Sequence, residues 1–132
     1  SMIKIFPHSL LSIFVSLVIQ HYLFISQLHS KIKLSFSYYP YKSYIPTTYF
    51  IIKSNFLTSE QVTFFLEDIR RHSQLANIIL IGSNIDYEEL YRNHYRVFGV
   101  IDTTENKSLT FIRDQIHFYL DGLYGLKNQE SD

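Results

Sequence analysis

No aspartate or glutamate occurs before Glu60. Chemistry that needs carboxylate oxygens from the first half of the chain, above all the binding of a hard divalent cation, is therefore excluded there. Cysteine is absent throughout, which removes disulfides, thiolate catalysis and cysteine-ligated metals. With only four glycines, none of them clustered, the chain has no glycine-rich phosphate loop, and it has no nucleophile-elbow sequence either. From Ile5 to Ser30 there is no formally charged residue.

What remains is 132 residues with 46% hydrophobic content, enough for one domain with a real core. We place that domain at residues 1–125 and read residues 126–132 as a polar tail or the start of a linker. Net charge is zero, but Lys4, Lys31, Lys33, Lys42 and Lys53 are the only charged side chains before Glu60. They are too dispersed for a nucleic-acid footprint. Within the uncharged stretch, Ser9, Ser12, Ser16, Gln20 and Gln27 recur at helical spacings as a polar stripe. A lipid-facing span is apolar all round, so no membrane segment is expected. A neutral stripe of this kind suits burial against a partner.

Hydrophobic patterning alternates strands and helices. Ile3–Phe6 is a short strand stopped by Pro7, and Ser9 caps a helix over about residues 10–27. Lys31–Ser37 alternates as a half-exposed edge strand, and Tyr38–Thr48, punctuated by Pro40 and Pro46, is a loop. Tyr49–Ile52 and Asn77–Ile81 are continuous apolar runs suited to central strands. Between them Thr58 and Gln61 form a capping box ahead of Val62, Phe65, Leu66 and Ile69. Asp86–Arg96 reads as a tyrosine-rich helix, Val97–Ile101 as a strand, and Leu109, Ile112, Ile116 and Leu120 mark a last helix. The pattern predicts an α/β fold, a doubly wound five-stranded parallel sheet whose second helix is shortened or missing.

The run Glu67-Asp68-Ile69-Arg70-Arg71-His72, then Asn77–Ile81, then the tyrosine-rich helix and the strand to Asp102, resembles the receiver domains of response regulators. The similarity is to receivers of the LytTR-type quorum-sensing and competence regulators of Gram-positive bacteria, and it is good from Tyr49 onward. It implies a receiver-like (flavodoxin-like) fold, a cytoplasmic two-component setting and DNA binding only through a domain outside this chain. It also places the phospho-accepting aspartate on Ile52, the acidic pair near Pro7, His8 and Ser9, the switch hydroxyl on Gly82 or Ser83, the lysine on Asp102, and the reporter aromatic near Gly99 and Phe98. Each chemical role is vacated or inverted. The resemblance thus implies a pseudo-receiver with no catalytic residue, no metal and no cofactor.

A vacated pocket of His8, Ile52, Lys53, Ser83 and Asp102 is then expected, with Asp102 pairing Lys53 or His8. His21, His29, His72, His94 and His117 show no paired metal spacing. Tyr87, Tyr91 and Tyr95 recur at i, i+4, i+8 and, with Arg92, form a candidate homodimer interface. The Ser12, Ser16 and Gln20 stripe is the competing face. Tyr38, Tyr39, Tyr41 and Tyr44 either face a partner or cover the sheet where a helix is missing. The expected function is a phosphorylation-independent dimerisation or protein-interaction module of a bacterial transcriptional regulator. Two alternatives are a stand-alone protein that binds a kinase or regulator, and a small-ligand sensor using the vacated pocket.

Overall fold

The structure, a computed structural model, describes residues 1–41 and 44–125. Lys42 and the expected tail at 126–132 lie outside the described residues. In chain order the elements are β1 (Met2–Ile5), α1 (Leu10–Ile25), β2 (Lys33–Ser35), β3 (Thr47–Ile52), α2 (Ser59–His72), β4 (Asn77–Gly82), α3 (Tyr87–Arg92), β5 (Gly99–Asp102) and α4 (Leu109–Tyr124). The five strands form one all-parallel sheet in the order β2-β1-β3-β4-β5, the flavodoxin-like doubly wound arrangement. The expected fold class is the observed one. Among the described residues no helix is long and apolar enough to cross a membrane.

Alternation along β3 and β4 divides the core in two. Phe50, Ile52, Ile79 and Ile81 turn to the face covered by α1 and α4. Tyr49, Ile51, Ile78 and Leu80 turn to the face covered by α2, where Val62, Leu66 and Ile69 meet them as the helical spacing predicts. Gln61 Oε1 accepts from the Thr58 backbone N–H at 2.9 Å, so the glutamine half of the expected box closes the start of α2.

Where a second crossover helix would lie, residues 36–41 and 44–46 are neither helix nor strand, and the expected loop Tyr38–Thr48 is cut short because Thr47 and Thr48 already belong to β3. Its cover for the sheet is aromatic. Tyr38 is buried, packs edge-on against Phe65 at 5.0 Å and donates to Phe50 O at 2.8 Å. Lys4 anchors the loop from within β1, its ammonium donating to Tyr38 O at 3.2 Å and to Pro40 O beneath the Tyr49 ring. A buried cation is tolerated here because backbone oxygens replace its water.

Two expectations fail. The serine stripe of α1 does not face outward: Ser12 and Ser16 are buried. Each satisfies its hydroxyl on its own helix, Ser12 on Ser9 O at 2.8 Å and Ser16 on Ile13 O at 2.7 Å, so neither needs water. The tyrosine-rich helix stops at Arg92 instead of reaching Arg96. His94 and Arg96 adopt left-handed φ values of 54°, and the chain turns back so that Tyr95 enters the core. Its hydroxyl donates to Glu67 Oε1 at 3.1 Å.

Candidate functional site

In a doubly wound sheet, ligands and catalytic groups gather beyond the carboxyl ends of the strands, at the point where the strand order reverses. Here that point lies between β1 and β3, because the chain winds outward to β2 and then crosses to β3, β4 and β5. Pro7, His8 and Ser9 follow β1, and Lys53 and Ser54 follow β3. His8 and Lys53, two of the expected pocket residues, are thus at this point of the fold.

His8 occupies this crevice. Its Nε2 lies 3.0 Å from Ile52 O, which can only accept, so Nε2 carries a proton and donates it there. Ser54 Oγ lies 3.2 Å from the ring's Nδ1 and itself accepts from the N–H groups of Phe56 and Leu57 at 3.0 and 3.1 Å. With two donors already aimed at its oxygen, the hydroxyl proton points to His8. The ring thus ties the end of β3 to the loop after β1. Beneath it Ile52 is 0% exposed and packs into the α1 and α4 core.

The other pocket residues do not converge on His8. Lys53 reaches sideways, donating to Ser83 O at 2.9 Å and Asn84 O at 3.1 Å. Gly82 is bare for a local reason, since a β-carbon there would stand 2.6 Å from Lys53 Cβ. Asp102 accepts from Tyr87 Oη at 2.8 Å through Oδ2, and from the Thr104 N–H at 2.9 Å and the Thr104 hydroxyl through Oδ1. The Thr104 bonds, then the Tyr87 bond, hold its carboxyl below the usual carboxylate range. The expected pair of Asp102 with Lys53 or His8 is therefore not formed, because uncharged donors nearer in the chain already saturate the carboxylate.

The remaining clefts at this end are separate. Lys53, Thr63, Asn84, Asp86 and Glu89 border one of about 60 Å³, in which Asp86 caps α3 through Glu89 N at 3.0 Å and Glu89 accepts from Thr63 Oγ1 at 3.0 Å. Asp102, Thr104, Lys107 and Phe111 border another of about 390 Å³. Among the described residues, no three histidine or acidic side chains gather closely enough to hold a metal ion.

Of the expected interface residues, Tyr87, Tyr91 and Arg92 are exposed on α3, and Arg92 lies 3.9 Å from Glu88. Tyr95 is the correction: buried off the helix end, it breaks the three-residue stripe into two.

Two features escaped the sequence reading. Arg70 is buried, and its guanidinium donates to the carbonyls of Tyr95 (2.6 Å), Ala76 (2.7 Å) and Arg96 (2.8 Å), binding the end of α2 to the turn after α3. Its place four residues after Leu66, on the buried face of α2, was the available signal. The second is the apolar outer face of α1, hidden by reading the serine stripe as the exposed one. Comparison with protein-family models, with curated proteins and with solved structures finds no match to this chain.

Proposed function

We propose that this chain is a receiver-like regulatory domain that works without phosphorylation, as a dimerisation or protein-interaction module of a bacterial transcriptional regulator of the LytTR type. One observation carries the reading. At the end of β3, where a receiver's chemistry resides, the side chain is the fully buried Ile52, and the crevice above it is bridged by His8 bonded to Ile52 O and Ser54. No carboxylate precedes Glu60 in the chain to hold a cation beside it. The small-ligand alternative draws less support, since Lys53 and Asp102 spend their polar groups on separate neighbours.

The test is exposure to acetyl phosphate or beryllofluoride with Mg²⁺. Intact mass and melting temperature are expected to stay unchanged. A phosphate adduct, or a Mg²⁺-dependent melting shift of several degrees, overturns the proposal.

A further inference from the structure

A helix on a domain surface normally hides its apolar residues and shows its polar ones. In α1 the order is reversed on one side. Leu10, Ile13, Leu17 and Phe24 stand in solvent at 87%, 45%, 58% and 68% exposure, with Ile25 beside them, while Ser12 and Ser16 are inside. Together with exposed Gln20 and His21 they form a continuous outward stripe carrying no formal charge.

We infer that this stripe is the self-association face, with α1 of two copies packed antiparallel about a two-fold axis at Leu17. The inference deepens the interaction-module reading and rests on it, while moving the contact from α3 to α1.

Three observations select a second copy as the occupant. The first is symmetry. A two-fold axis makes each residue meet the counterpart of its mirror position. About Leu17 the stripe is nearly self-complementary, with Leu10 opposite Phe24, Ile13 opposite His21, and Leu17 opposite itself. Phe24 also borders a groove of about 600 Å³ between α1 and the edge strand β2, lined by Leu23, Ile32 and Leu34, which receives Leu10 of the second copy.

The second is charge. Lys31 and Lys33 line the groove beyond the C-terminal end of α1. An antiparallel seam sets the two lysine pairs at opposite ends of a helix roughly 24 Å long, further apart than the screening length of about 8–10 Å. A parallel seam would set them side by side.

The third is area. Five apolar side chains exposed to this degree present about 500 Å², near the upper end of what a monomer leaves bare and over half of the roughly 800 Å² per partner in a stable interface. A lipid surface fits less well, because helices that lie on membranes carry Lys and Arg along the face opposite the apolar one, and that face of α1 is packed on the sheet with its serines buried.

Sedimentation of the chain at micromolar concentration, beside Leu17→Arg and Tyr91→Glu, tests this, with circular dichroism to check folding. Both substituted side chains are exposed, so the monomer fold survives. The wild type and Tyr91→Glu are expected to be dimers. Leu17→Arg is expected to lose affinity by about a hundredfold or more, since two like charges then meet at the axis. In a protein without cysteine, Leu17→Cys is further expected to yield one species of disulfide-linked dimer on oxidation. A wild-type monomer at high micromolar concentration, a dimer that survives Leu17→Arg, or one lost only in Tyr91→Glu overturns the assignment. So does a wild-type monomer that floats with phosphatidylserine vesicles through Leu17, which makes lipid the occupant. None of these results alters the phosphorylation test, so the two failures are distinguishable.

Discussion

Tyr119 lies so closely across Gly99 that a β-carbon on the glycine would stand 2.3 Å from its Cε1. The ring comes from α4, and its hydroxyl donates to Val100 O at 3.2 Å. The strand is bare here, and an aromatic from the neighbouring helix fills the space. Gly99→Ala is expected to displace the ring and cost about 1–2 kcal/mol. In Tyr119→Ala the same change is expected to cost much less, because the two sites share one space. Urea midpoints of the four proteins check this; additive effects would refute the contact.

Arg70 ties together α2 and the turn that ends α3. Burial, and then the charge on Arg96, pull its pKa down from the usual guanidinium value. Arg70→Ala leaves the carbonyls of Tyr95, Ala76 and Arg96 without their donor, and unmet buried groups cost about 1–3 kcal/mol each, so a loss of about 3 kcal/mol or more is expected. Arg70→Lys is expected to recover only part of it, since an ammonium lacks the planar fork that reaches divergent acceptors. Unfolding free energies measure both, and a lysine variant equal to wild type would contradict the account.

Alkaline pH should weaken the fold. Burial pushes Tyr49 up to about 12, and burial with the Glu67 carboxylate does the same for Tyr95; Tyr22, Tyr38 and Tyr41 are raised as well. In the unfolded chain these phenols ionise near about pH 10. The unfolded state therefore sheds protons first, and stability falls as pH rises from about 10 through 12. Phenolate absorbance and circular dichroism followed together should show late ionisation coinciding with unfolding. Full ionisation of all tyrosines near pH 10 in a folded protein would refute it.

An aspartate introduced at position 52 is not expected to accept phosphate. Ile52→Asp buries a carboxyl among the α1 and α4 side chains, where burial favours its neutral form, and a loss of about 3 kcal/mol is expected. Acetyl phosphate should leave its mass unchanged. A variant of wild-type stability that accepts phosphate would mean that Asp86, Glu89 or Asp102 reaches the site.

The sequence by itself determined the number of strands and their order along the chain, the double burial of β3 and β4, the core face of α2 and the absence of acids before Glu60. Those follow from local periodicity and residue type, which do not depend on distant neighbours. Tertiary structure alone decided three things. Periodicity groups Ser12 with Ser16 but does not say which way they turn; a serine that bonds its own helix needs no water, so the apolar side of α1 was free to face out. Helical spacing carried Tyr95 onto the same stripe as Tyr91, but the chain leaves the helix there because Arg70, more than twenty residues away, takes the Tyr95 and Arg96 carbonyls. Opposite charge suggested Asp102 with Lys53, yet Thr104 and Tyr87 hold the aspartate and the Ser83 and Asn84 carbonyls hold the lysine, because a folded chain satisfies each polar group with the donor or acceptor that packing brings nearest.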